Sequence, residues 1–304
     1  MELRENNLLG EQHIRYGRYG GIAYHHISAT YIALFSNFIA CGVWEAVYIL
    51  DGLLQNRSEF EVDTVHADTH GQSEPVFGLA YLLGIELLPR MRTWNDAEFY
   101  RPDAASKYDH IDALFTKPVD WRVIEAHWQD MMQVVLSIQA GKVLPSMLLR
   151  KLGSRSKKNR LYQAFRELGR VVRTLFLLRF VSEGELRQSI RAETTKIESY
   201  NDFLDWIGFG GPVIKSGDPV EQLKQVKYME LVANAVMLQN VVDLTDVLAG
   251  MAADGLPVTP ELVTRTAPTI REHLRRFGHY DVDMEVLPPP LRPRPLPFPD
   301  DGPK

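Results

Sequence analysis

The sequence predicts a mixed α/β fold with a large helical part, and three observations carry that reading. Two stretches rich in β-branched and aromatic residues open the chain. Short apolar strands then alternate with helices as far as Pro89. From Trp121 almost to Trp206 the apolar residues recur at helical spacing. The chain has 304 residues, 45% hydrophobic and 24% charged, enough to bury a sizeable core. Asn37, Gly42, Glu45 and Asp51 interrupt its longest apolar runs, so none there reaches the roughly 18 residues of a membrane helix. MELRENNLLGEQ lacks an apolar signal core, which predicts no secretion. A single cysteine, Cys41, excludes a disulfide framework and a Cys-based zinc site and suits a reducing cytoplasm.

In chain order, His13–Ser28 and Thr30–Cys41 predict two strands joined by a hairpin at Ser28-Ala29, closed by Gly42. Val43, Val47, Leu50 and Leu54 predict a helix over 43–55. Thr64–Ala67 reads as a short strand stopping at Asp68-Thr69-His70-Gly71-Gln72. Ser73 can cap the next helix, with Glu74 and Pro75 in its first turn and Gly84 as its stop. Ile85–Leu88 predicts a strand, and 94–120 a long excursion of little periodicity. Leu161, Phe165, Leu168, Val172, Leu175 and Phe176 mark one amphipathic helix. Leu186, Ile190, Ile197 and Leu204 mark a second over 183–206. Residues 220–253 and 259–277 predict further helices, and the Pro-rich 288–304 an extended tail. Antiparallel strands followed by alternating strands and helices match a ribonuclease-H-like layer, except that only two of its three opening strands are found.

Asp68 ends an apolar strand, where a carboxylate can hold a divalent cation, although a turn aspartate has the same pattern. His66, Asp68 and His70 alternate and would share one face if the strand continued, a donor set suited to zinc. Glu198 shares a helix face with Arg187, Arg191 and Asp202, flanked by Lys196 and Asn201. That face could hold a metal and phosphates, or be a salt-bridged solvated surface. Between Arg150 and Arg179 stand ten basic residues and one acid, Glu167. They are Arg150, Lys151, Arg155, Lys157, Lys158, Arg160, Arg166, Arg170, Arg173 and Arg179, on a chain of net charge −5. A block this one-sided predicts a polyanion partner bound through phosphates rather than bases. YGRYGG does not open a helix, so no phosphate loop is present, nor is there a nucleophile elbow or a credible Cys–His pair.

Several long blocks resemble one known family. They are YGRYGGIAYHHIS (16–28), YILDGLL (48–54), VHADTHGQSEPVFGLAYLLGIELLPR (65–90), KNRLYQAFRELGRVVRTLFLLRF (158–180), TTKIESYNDF (194–203) and HLRRFGHY (273–280). Together they resemble the C-terminal catalytic region of the Tn3 family of replicative transposases, over roughly residues 14–282. The resemblance implies a ribonuclease-H-like core with an Asp-Asp-Glu triad holding Mg²⁺, with Mn²⁺ as its substitute. Asp68 corresponds to the second aspartate and Glu198 to the glutamate. Before Asp68 there are only Asp51, in the YILDGLL helix, and Asp63, in a loop, so the first aspartate has no counterpart. Ala29 and His70 also depart from the family pattern.

The expectation is thus an N-terminally truncated transposase fragment with impaired strand transfer. Its segments are 1–12 divergent, 13–92 core, 93–182 basic helical insertion, 183–210 the Glu198 helix, 211–284 C-terminal helices and 285–304 tail. The implied partners are double-stranded DNA at transposon ends and target, and further transposase copies in a homo-oligomer. The implied location is the bacterial cytoplasm, at the nucleoid. A non-catalytic DNA-binding remnant and a zinc hydrolase using His66, Asp68 and His70 are the alternatives.

Overall fold

A computed structural model describes residues 2–3, 11–12, 19–40, 45–54, 62–153, 159–208, 213–214, 216–287, 291 and 294–295. Its strands are β1 Glu2–Leu3, β2 Glu11–Gln12, β3 Tyr19–Ile27, β4 Ala33–Ala40, β5 Thr64–Ala67, β6 Glu86–Pro89, β7 Phe99–Arg101, β8 Phe115–Pro118 and β9 Val213–Ile214. Its helices are α1 Asp51–Leu54, α2 Glu74–Leu82, α3 Trp121–Ala126, α4 Trp128–Gln139, α5 Pro145–Gly153, α6 Arg160–Ser182, α7 Gly184–Ile207, α8 Pro219–Ala253 and α9 Pro260–Thr264. The chain forms two compact units, residues 34–36 and 41–197 in one, and 1–33, 37–40 and 198–304 in the other.

The first of these units is built on the crossover β5–α2–β6. β5 and β6 pair in parallel, with Val65 opposite Leu87 and Ala67 opposite Pro89. Val65, Ala67, Leu87 and Leu88 are buried, as expected of a parallel pair covered by helices. Gly84, at φ +77°, takes the left-handed turn that releases the chain from α2 into β6. α6 lies against α2 with the backbones in contact. A Cβ on Gly78 would stand 2.3 Å from the Phe165 carbonyl oxygen, and one on Gly169 only 1.6 Å from that of Glu74. Phe77, Leu79, Phe165 and Leu177 fill the surrounding core.

Asp51 is buried and secures the start of α5. It accepts hydrogen bonds from the Ser146 backbone N–H at 2.8 Å and from the Ser146 hydroxyl. Burial pushes its carboxyl above the usual range, and the two Ser146 hydrogen bonds pull it back only in part. This places Asp51 in the core rather than at a surface where substrate could reach it.

In the other unit β3 pairs with β4, and the sheet runs β2-β3-β1-β9 with β4 off that path. The hairpin closes with Ser28 N–H on the Ile32 carbonyl at 2.8 Å, and Tyr31 adopts a positive φ of 67°. The C-terminal half of α7 packs on α8 through Tyr200, Phe203, Leu204, Ile207, Ala233 and Met237. Polar side chains on the inner face of α8 reach back into this unit. Glu230 lies 2.8 Å from His25 Nδ1, and the Asn234 amide bonds both backbone groups of Ala33. Asn240 donates to the carbonyls of Pro268 and Ile270.

Several sequence expectations are corrected. The helix expected over 43–55 is a 3₁₀ turn at 45–48 followed by the single turn α1, since Asp51 is used to anchor α5. The excursion 94–120 contains the parallel pair β7–β8. Only α9 forms within 259–277, because Pro268 lies in its path and Asn240 holds the backbone carbonyls there. The N-terminal twelve residues, which read as strandless, contribute β1 and β2 to β3. Such two-residue strands arise from pairing and leave no propensity signal. Cys41 and most of the Pro-rich tail lie outside the described residues.

Two outcomes test this packing. Gly169→Ala should cost about 3 kcal/mol in urea unfolding, since backbone must move. Gly250→Ala, in open space on α8, should instead gain roughly 0.5–1 kcal/mol. For Asp51, the folded chain holds its proton more tightly than the unfolded chain does. Its contribution to stability is therefore full below the unfolded pKa and declines as pH rises through the folded one. Melting curves from pH 4 upward should show a decline that Asp51→Asn removes, and parallel profiles for the two proteins would refute the assignment.

Candidate functional site

Asp68 directly follows the last residue of β5, at the carboxyl end of the parallel β5–β6 pair, and is exposed. In open parallel sheets this edge is where ligands collect. The turn that follows is tightly made. Gly71 N–H donates to the Asp68 carbonyl at 3.0 Å. A Cβ on Gly71 would stand 2.6 Å from the Ala67 Cβ and 3.1 Å from that of Pro89, so the turn closes onto both strands only without a side chain. Arg90 N–H donates to the Ala67 carbonyl, and the Gln72 amide donates to the Arg90 carbonyl. These bonds hold the backbone on both sides of Asp68.

His66 is one strand repeat before Asp68, with Nδ1 buried and without a hydrogen bond. Burial is the main cause lowering its pKa and Lys196 adds to it, against the raising influence of Glu193 and Glu86. The imidazole is therefore neutral near pH 7. His70 lies in the 3₁₀ turn Thr69–Gln72, so the alternation expected of His66, Asp68 and His70 ends at Ala67. Among the described residues no group of three or more His, Cys, Asp or Glu gathers as a metal cluster. The zinc expectation thus loses its geometric basis.

Glu198 lies on α7, exposed, as are Arg187, Arg191 and Asp202. Lys196 is bound to Glu193 at 2.7 Å. Arg187 donates to the carbonyls of Phe180 and Val181 at the end of α6, capping that helix. Asp68 belongs to the unit of residues 41–197 and Glu198 to the other.

The basic block divides in two. Arg170 donates to Glu74 at 3.3 Å and to Glu167 at 2.5 Å, and its guanidinium lies over the Tyr100 ring at 4.6 Å. Arg166 lies 4.0 Å from Glu74. Arg173 is buried and faces Gln72. Arg179 bridges Glu86 and Glu183. These four arginines face the inside of their own unit or local carboxylates, so the block expected to meet a polyanion is not one continuous exposed run. Arg150, Lys151 and Arg160 are exposed at the facing ends of α5 and α6. Between those ends are Arg155, Lys157 and Lys158, which lie outside the described residues.

Sequence reasoning missed the network on which Arg170 depends. The Tyr100 hydroxyl, with one proton to give, lies 2.5 Å from Glu98 and 2.8 Å from Glu74 and can donate to either. Burial and these two carboxylates push the phenol pKa well up. Glu167 also accepts the Asp120 backbone N–H. The available signal was the acid Glu74 in the first turn of α2, facing a helix with surplus arginine.

Comparison with known proteins gives a consistent match. The family model for the Tn3 transposase DDE domain covers residues 1–280. The transposase of transposon Tn501 from Pseudomonas aeruginosa is 33% identical over 86% of this chain. That of Tn1546 from Enterococcus faecium is 29% identical over 94%, and that of transposon gamma-delta from Escherichia coli K12 is 28% identical over 87%. The matches cover 26%, 29% and 27% of those relatives, so this chain spans about a quarter of their length.

The division of the basic block is testable. Arg170→Ala should cost about 3 kcal/mol of unfolding free energy, because it strands Glu74 and Glu167 in a largely buried network. Chemical denaturation measures this, and a loss within the range of an exposed ion pair would overturn the placement.

Proposed function

The chain belongs to the Tn3 transposase DDE-domain family, and on that premise we propose that it is the metal-dependent DNA cleavage and strand-transfer region of a replicative transposase, built on a ribonuclease-H-like core. The observation that carries this reading is the place of Asp68, exposed at the carboxyl edge of a parallel strand pair and followed by a turn that only Gly71 permits. In this reading Asp68 and Glu198 are the second aspartate and the glutamate of the triad, and no residue of the chain is assigned its first aspartate.

The donor chemistry suits the cation. Both side chains offer hard carboxylate oxygens, the ligands Mg²⁺ and Mn²⁺ prefer, and both are exposed. Asp68 and Glu198 would hold the Mg²⁺, which would supply activation of a water or 3′-hydroxyl and stabilisation of the leaving oxygen. The neutral His66 adds no positive charge beside Asp68 and so does not compete for its carboxylate. Arg150, Lys151, Arg155, Lys157, Lys158 and Arg160 hold the phosphates of double-stranded DNA at transposon ends and target. The protein acts in the bacterial cytoplasm, assembling with copies of itself or of a longer transposase.

Mn²⁺ titration and Mg²⁺-dependent nicking of a transposon-end duplex test the site together. Asp68→Asn and Glu198→Gln should each weaken Mn²⁺ binding at least about tenfold and abolish any nicking. Salt-dependent DNA affinity should stay near wild type. Arg150→Ala, Lys151→Ala and Arg160→Ala combined should weaken DNA binding and reduce its salt slope by about three. Unchanged Mn²⁺ binding in both carboxylate variants would refute the ligand pair, and an unchanged salt slope would remove this patch from the interface.

A further inference from the structure

Beyond α9 the described residues form neither helix nor strand, yet residues 268–276 are tied down at close intervals. One anchor is Asn240, fully buried on α8. Its amide donates to the carbonyls of Pro268 at 2.7 Å and Ile270 at 2.8 Å, and its oxygen lies 3.1 Å from His273 Nε2. The same segment meets α7 at three points. The hydroxyls of Thr269 and Ser199 are 2.7 Å apart. Arg271 donates to the Asp202 carbonyl at 2.9 Å. Arg276 donates to the Trp206 carbonyl, and its guanidinium lies over the Trp206 ring at 5.4 Å.

Ser199, Asp202 and Trp206 follow one another at steps of three and four residues, so they share one face of α7. Glu198 immediately precedes the first of them and stands one turn before Asp202, at the border of that face. All these residues belong to the same unit. Trp206 is in the last turn of α7, where carbonyls lack an intrahelical partner, so Arg276 satisfies one and places positive charge at the negative end of the helix. Apolar packing has no direction, and a helix held by it alone can rotate. Hydrogen bonds are directional, so three of them along one face fix the rotation of α7. His273 and Arg276 come from the block HLRRFGHY, which the function proposed above leaves unused.

We propose that residues 268–276 are a positioning strap for Glu198. Through Ser199, Asp202 and Trp206 they fix the rotation of the last turns of α7, and with it the direction in which the Glu198 carboxylate is presented. Thr269, Arg271 and Arg276 touch neither metal nor DNA in this role. The proposal rests on the reading of Glu198 as a metal ligand, and its test separates the two.

Amide hydrogen exchange of the full chain, without metal, reads the strap. Arg271→Met combined with Arg276→Met should speed exchange about tenfold over the C-terminal turns of α7 and leave α6 unchanged. Arg275→Met, at the exposed neighbouring position, should change neither. The corresponding pair of lysine substitutions keeps a donor at each carbonyl and should restore protection. Mn²⁺ titration followed by electron paramagnetic resonance then reads Glu198. The methionine pair should weaken binding about tenfold, and the lysine pair much less. Added to Glu198→Gln, the methionine pair should weaken it no further, because both act through one carboxylate. Thr269→Val removes only the hydroxyl facing Ser199 and should weaken Mn²⁺ binding in the same direction with the melt unchanged. Unchanged exchange in α7 would overturn the strap. Faster exchange with wild-type Mn²⁺ affinity would overturn its positioning role. Should Glu198→Gln alone leave Mn²⁺ binding unchanged, the ligand reading is refuted by itself, since the exchange data decide the strap.

Discussion

The unit containing Asp68 depends on the place where α2 and α6 meet. Gly78 and Gly169 bring the two backbones closer than any side chain would permit. α2 is the crossover between β5 and β6, so its position determines how the parallel pair is covered and where β5 ends. α6 in turn delivers Arg170 to Glu74 and Arg173 to Gln72, a residue of the turn after Asp68. A close helix crossing thus supports the carboxyl edge of β5 from behind.

Charge in this molecule is balanced across sequence distance. Counted along the chain, 150–179 is strongly basic. In space, Glu74, Glu86, Glu167 and Glu183 meet Arg166, Arg170 and Arg179 of α6. The buried end of this network is costly to break, because an unpaired guanidinium or carboxylate would remain in low dielectric. What is left exposed is a compact patch at the facing ends of α5 and α6. A one-dimensional count therefore overstates how much of this charge is exposed.

How legible each element was follows from where its information resides. β5, α2 and β6 were readable almost to the residue, because propensity, burial pattern and the glycine stop agree there. β1, β2 and β9 are two-residue strands made by pairing, and the apolar stretch 43–55 was diverted from a helix by the link between Asp51 and Ser146. Asp68 was visible locally as a strand-end carboxylate. Glu198 was not, since an exposed glutamate among arginines looks like any solvated face, and only the family resemblance singled it out. The Tyr100–Glu74–Glu98–Arg170 network joins residues from three separate segments and had no local signature.

The same physics explains why α8 resists a hydropathy reading. Glu230, Asn234 and Asn240 face inward, where His25, the Ala33 backbone and the carbonyls near residue 270 satisfy them. Tyr228, Leu231 and Leu238 face outward, while Ala233 and Met237 pack on α7. A window average records only that the helix is apolar and long. Direction is what distinguishes the cases, because a core helix buries its apolar stripe and a membrane helix hides its polar groups among neighbouring helices. α8 does the second within a folded unit that also contains a β-sheet. Glu230 and Asn240 would lose His25 and the Pro268 and Ile270 carbonyls in lipid, so these bonds favour the helix folded in its own unit.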